Sequence, residues 1–346
     1  MRPVLALVPA SVRGRSVSLA IVAGIAGGLL GGCGASHKGA TAPTATSADR
    51  AAPAARTPKP PPVRLRLAGS AALPAPVQLP GLARTSDGRV LAVGGLDAAD
   101  TSTSSITGVL PGAARTVGRL GQAAHDIGVA SIGATVYAFG GGTAGGPIAT
   151  IAAIGRDGAV RPAGRLPVAM SDTTAVTLGH VAYVIGGYTV TTPLRSVLAF
   201  RPRSGVREAA ELPHPVRYAA AAAIGSRIYV AGGTTGTQAR REIVEVDPAT
   251  HAARTVGRLP APLAHAAGAA LGGIFYVLGG RGDDLTGQRA AIWAFDPATR
   301  RLRRAGRLPV ALSDLAAVTD GDSILVAGGR DRRGGVHGER WTFRGA

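Results

Sequence analysis

The chain has 346 residues and a formal net charge of +18, with 46% hydrophobic but only 4% aromatic residues, 51 glycines and 24 prolines. That composition suits many short strands closed by turns and leaves few large aromatic anchors. One cysteine, Cys33, excludes an intramolecular disulfide and a cysteine-based zinc site, and all but two of the 38 basic residues are arginine.

The first element in chain order is an export signal. Arg2, Arg13 and Arg15 precede an uncharged apolar run over residues 17–30, followed by the small residues of "LLGGCG". A basic segment, a short apolar run and a small-residue cleavage point describe such a signal, and the run is short for a membrane span. Leu30-Gly31-Gly32-Cys33 resembles the lipobox of bacterial lipoproteins. The resemblance implies removal of residues 1–32, lipidation of Cys33 and a protein of the cell envelope, extracytoplasmic and lipid-anchored to the membrane. Residues 33–62, rich in Ala, Thr, Ser and Pro and ending in "TPKPPP", have no periodic apolar pattern and are expected to form a disordered tether.

From residue 63 to 346 the chain repeats. Glycine pairs stand at Gly94-Gly95, Gly140-Gly141, Gly186-Gly187, Gly232-Gly233, Gly279-Gly280 and Gly328-Gly329, a period of 46 to 49 residues. A second marker keeps the same period: Leu73-Pro74, Leu120-Gly121, Leu166-Pro167, Leu212-Pro213, Leu259-Pro260 and Leu308-Pro309. Each period reads as four short strands; in one unit these are "YAAAAAIG", "RIYVAGG", "EIVEVDP" and "AARTVGRLP". The first strand is small-residue-rich, as convergence on an axis requires, and the glycine pair suits a close approach or a positive φ.

Six four-stranded units ending their second strand on Gly-Gly resemble the kelch-repeat β-propellers, which implies an all-β, six-bladed β-propeller. The strand "VRLRLAG" precedes the first glycine pair, while the last unit stops after its third strand, so the N-terminal strand is expected to close the last blade. The chain departs from the family at its tryptophan position, which reads Leu67, Ala114, Val160, Val206, Ala253 and Leu302; these are expected to keep the outer packing in kind, though not in size. Thirteen arginines, among them Arg66, Arg115, Arg161, Arg207, Arg254 and Arg304, fall on fourth strands, where charge opposes edge-to-edge aggregation.

Fourteen residues before each glycine pair stand Pro80, Asp126, Asp172, Tyr218, His265 and Asp314, immediately preceded by Leu79, His125, Ser171, Arg217, Ala264 and Ser313. In kelch propellers this register borders the mouth of the central channel, which makes Asp126, Asp172, Arg217, Tyr218, His265 and Asp314 the candidate ligand-binding residues. Such groups can hydrogen-bond a sugar, hold a cation or, as Asp beside His, do acid–base work. They can also be turn-filling residues at strand entries. Arg281-Gly282-Asp283 reads as a loop after a glycine pair, and no metal spacing, phosphate loop or nucleophile elbow is present.

The leading reading is a non-catalytic, monomeric binding module presenting its mouth to a glycan or protein, with no cofactor and no metal. The alternative is a carbohydrate-active enzyme similar to the kelch-type sialic acid epimerases, with His265, Asp172, Asp314 and Arg217 as the groups to test. Export and the shortage of aromatic stacking groups argue against nucleic acid.

Overall fold

Short apolar runs separated by Gly, Pro and Asp-Pro turns fold as antiparallel four-stranded sheets. The computed structural model describes residues 64–110, 113–284 and 287–346, with Leu110 as backbone only. The expected signal, the tether and Cys33 lie outside the described residues. Among the described residues every regular element is a strand.

Numbered by their innermost strands, blade 1 comprises Gly81–Arg84, Val90–Val93, Ser105–Leu110 and Ala113–Arg119. Blade 2 comprises Gly128–Ile132, Thr135–Phe139, Gly146–Ile154 and Val160–Met170, and blade 3 Thr174–Leu178, Val181–Ile185, Ser196–Arg201 and Gly205–Glu211. Blade 4 comprises Ala220–Ile224, Arg227–Ala231, Glu242–Asp247 and Ala252–Arg258, and blade 5 Ala264–Leu271, Ile274–Arg281, Arg289–Asp296 and Arg301–Ser313. Blade 6 takes Ala316–Asp320, Ser323–Ala327 and Glu339–Gly345, and Leu65–Ala72 is its outer strand. That strand pairs antiparallel with Glu339–Gly345, from Leu65 opposite Gly345 to Ala72 opposite Glu339. The six innermost strands touch in sequence all the way round, the last against the first, and the fold is a six-bladed β-propeller.

The second strands are continuous apolar runs because both of their faces are covered. Val181–Ile185 is buried throughout. Its Val181, Tyr183 and Ile185 pack into the core shared with blade 4, while Ala182 and Val184 pack into the core shared with blade 2. Six such clusters sit between neighbouring blades, including one joining Leu325 and Ala327 of blade 6 to Leu82 and Val90 of blade 1. Full burial of each Val or Ile side chain is worth about 1.5–3 kcal/mol, so ring closure adds a sixth core for one extra interface.

The glycine pairs fasten these interfaces. Gly232 has a φ of 65°, and a Cβ there would lie far inside van der Waals contact with the carbonyl oxygen of Leu263, at the entry to the next blade. Gly233 donates its N–H to that same oxygen at 2.9 Å. Gly328-Gly329 repeats the arrangement on Val77 across the closure, with the Gly329 hydrogen bond also at 2.9 Å.

The fourth-strand arginines named above are exposed. Ala114, Val160, Val206, Ala253 and Leu302 are half-buried, but Leu67 is 47% exposed, beside a bulge between Leu67 and Gly69. The two tryptophans instead sit on third strands, Trp293 opposite Val277 and Trp341 opposite Val326.

Candidate functional site

The site is built on a backbone ring. Leu79, Asp126, Asp172, Tyr218, His265 and Asp314 each sit where the chain enters an innermost strand, and each has a φ between 53° and 60°. In that conformation the N–H of each reaches the carbonyl of its counterpart in the preceding blade: Asp126 to Leu79 at 3.3 Å, Asp172 to Asp126 and Tyr218 to Asp172 at 3.1 Å. His265 to Tyr218 and Asp314 to His265 follow at 3.0 Å, and Leu79 to Asp314 closes the circle at 2.7 Å. One residue from every blade therefore spends its backbone polar groups on its neighbours. Its side chain is left over.

One expected position is corrected. Blade 1 contributes Leu79, not Pro80, and Gln78 takes the preceding place. Proline has no N–H to donate and its φ is fixed near −65°. The blade 1 hairpin turns through 85–89 where blade 2 turns through 133–134, which lengthens the count back from the glycine pair. The positive φ also accounts for part of the sequence pattern, because Asp and His tolerate the left-handed region better than most residues. Leu79 and Tyr218 are the members that this preference does not explain.

The side chains hold one another. Asp172 forms an ion pair with Arg217 Nη2, whose guanidinium lies 4.0 Å over the Tyr188 ring and 4.8 Å over that of Tyr218. The Tyr218 hydroxyl donates to Asp126 Oδ2 at 3.2 Å and accepts from Arg217 Nη2 at 3.2 Å. Its ring stacks on His265 with centroids 3.7 Å apart. His265 Nδ1 lies 2.5 Å from Asp314 Oδ1, and Ser313 Oγ donates to Asp314 Oδ2 at 2.5 Å. Arg281 Nη2 lies 2.9 Å from His265 Nε2. A guanidinium only donates, so Nε2 accepts and the imidazole proton on Nδ1 points to Asp314. Both ring nitrogens are thus engaged.

Burial, then the charges of Asp172 and Asp314 and a hydrogen bond with Asp172, push the Asp126 carboxyl well above the usual carboxylate range. Burial also opposes ionisation of Asp314, but the hydrogen bonds from His265 and Ser313, with the charge of Arg281, outweigh it and hold its pKa down. Burial raises the Tyr218 phenol, and the neighbouring carboxylates add to that. For Arg217 burial favours loss of the proton, yet Asp172 and Tyr218 reverse the balance and raise its pKa. Beneath the ring lies a cavity of about 130 Å³ lined by the ring residues and the first residues of the innermost strands. Thr173 Oγ1, on its wall, and Arg217 Nε are buried without a hydrogen-bond partner.

The structure brings all six candidates, Asp126, Asp172, Arg217, Tyr218, His265 and Asp314, to one mouth. Among the described residues no group of three His, Cys, Asp or Glu side chains is placed to hold a metal ion; each carboxyl is turned to its own partner. The residues missed are those one position past the glycine pairs. Tyr188 covers Arg217, Arg281 caps His265, and Arg330 pairs with Asp100 at 2.9 Å. Their signal was the register itself: the residue after each Gly pair bridges back to the residue before the ring, as Tyr188 does to Ser171 and Thr234 to Arg217. No family model matches the chain, and no curated protein matches it.

Proposed function

We propose that this propeller is a non-catalytic binding module that takes a glycan or protein ligand at the mouth of its central channel. The observation that carries the reading is the convergence of Asp126, Asp172, Tyr218, His265 and Asp314 on one backbone ring with Arg217 beside them, and with buried polar atoms at Thr173 and Arg217 still unpartnered. Such preorganised groups bind without an ordering cost. The Asp314–His265 pair favours the alternative, a carbohydrate-active enzyme similar to the kelch-type sialic acid epimerases. Occupation of His265 Nε2 by Arg281 weighs against it, because a general base needs a free nitrogen. The kelch resemblance rests on the six glycine pairs and supports the same use of the mouth. We also propose, from the resemblance of Leu30-Gly31-Gly32-Cys33 to a lipobox, that the module is anchored in the cell envelope through lipid on Cys33.

A glycan-array screen of the full chain in mild detergent, beside a variant carrying Asp172→Asn, His265→Asn and Asp314→Asn, tests the site. Asparagine keeps the left-handed backbone affordable, which alanine would not. Binding by the native chain that is lost in a variant still melting cooperatively is expected; equal binding by both rejects the assignment. In the same cells, Cys33→Ser should abolish incorporation of a fatty-acid label, and undiminished labelling would refute the anchor.

A further inference from the structure

Beyond the ring, the loops of blades 5, 6 and 1 enclose a second cavity of about 520 Å³ on the outer side of the mouth. That volume lies in the range of small-molecule sites. Its wall carries four guanidinium groups, Arg281, Arg330, Arg332 and Arg333, and only two carboxyl groups, Asp314 and Asp331.

Neither carboxylate is free to neutralise the arginines. Asp314 already accepts from His265 on one oxygen and from Ser313 on the other. Asp331 is consumed in shaping its own turn: Oδ1 accepts the backbone N–H groups of Arg333 at 2.8 Å and Gly335 at 2.9 Å, and Oδ2 meets His337 Nε2 at 3.1 Å. The turn so fixed presents Arg332 and Arg333. Arg332 spans to blade 5, donating through Nε at 2.9 Å and Nη2 at 2.8 Å to the Gln288 carbonyl, a neutral acceptor. Arg281 is held by the imidazole of His265, again a neutral acceptor. The Arg333 guanidinium is exposed and forms no ion pair among the described residues. Arg330 alone is balanced, by Asp100 of blade 1.

The geometry points to an oxyanion site: the cavity binds a small ligand through a carboxylate or phosphate group held by Arg281, Arg332 and Arg333. Planar guanidinium forks match the paired oxygens of either group, and three cations with no carboxylate in ion-pair contact around one hollow favour an anion. The inference rests on the mouth being a binding site and names the chemical class of what binds there.

The test is calorimetric titration of the full chain with glucuronate, glucose 6-phosphate and glucose. Binding of at least one anion, absence of glucose binding, weakening at higher salt and a loss of tenfold or more in an Arg332→Ala/Arg333→Ala variant are expected. The anion that binds distinguishes carboxylate from phosphate. Anions that bind no tighter than glucose, or a variant that binds them as well as the native chain, would overturn the inference. The two readings fail separately. A glycan lost in the ring variant but unaffected by the arginine variant leaves the mouth standing without the anion site; anion binding lost only in the arginine variant does the reverse.

Discussion

The two ends of the central channel are built by the same six strands yet fastened in different ways. At the mouth, backbone groups in the left-handed conformation join all six blades, so the side chains there are left to carry chemistry. At the far end, side chains do the fastening. Ser131 Oγ donates to the Arg84 carbonyl at 2.5 Å, Thr177 Oγ1 to the Ser131 carbonyl at 2.7 Å, and Thr319 Oγ1 to the Ala270 carbonyl. Arg84 Nε closes the ring on Asp320 at 2.7 Å. Ala223 of blade 4 and Ala270 of blade 5 have no side-chain donor at this level, so among the described residues no such clasp runs from blade 4 to blade 3 or from blade 5 to blade 4. Where the backbone seals a ring, sequence can vary for ligand; where side chains seal it, it cannot vary freely.

The largest effect is expected from disturbing the mouth's backbone. Gly232→Ala adds a left-handed penalty of about 1–2 kcal/mol and an overpacking cost of about 1–3 kcal/mol against the Leu263 carbonyl, two residues before His265. Denaturant unfolding should show a loss of roughly 3 kcal/mol or more together with lost ligand binding; a variant as stable as the native chain would mean the backbone seal is unimportant.

A smaller effect, and one of opposite sign, is expected from Asp126→Asn. The native-state pKa of Asp126 is raised, so its contribution to stability is full below the unfolded-state value near 4 and is lost as pH rises toward the folded-state value. Asparagine keeps the backbone and the neutral form, and escapes that loss. Melting temperatures measured from pH 4 to pH 8 should diverge in favour of the variant as pH rises. Parallel curves would show that Asp126 is not held neutral.

The smallest effect belongs to the far end. Thr177→Val removes one half-buried hydrogen bond and should cost no more than about 1 kcal/mol. Ligand binding should be unchanged, and a weakened affinity would show that the two ends are coupled.

The repeat markers made the blades legible because each marks a recurrent physical need: a close approach to a neighbour's carbonyl at the glycine pair, and a leucine packed into each inter-blade core at Leu-Pro. The unit read as "YAAAAAIG", "RIYVAGG", "EIVEVDP" and "AARTVGRLP" corresponds to Ala220–Ile224, Arg227–Ala231, Glu242–Asp247 and Ala252–Arg258. The candidate residues were legible for the same reason, since they share one register. Pro80 was misplaced because a longer hairpin shifts a count without changing the strands. Arg281 was hidden because its partner, His265, lies across a hairpin and its role exists only once the mouth has formed.

By itself, then, the sequence determined the number of blades, their strands and the register that reaches the axis, all set by local periodicity and by turns that recur. Which carboxyl has its pKa raised, what each imidazole nitrogen engages and which arginines stand without a carboxylate in ion-pair contact were decided only by the tertiary structure. Those properties depend on burial and on the charges a few ångströms away, and the nearest charges come from other blades.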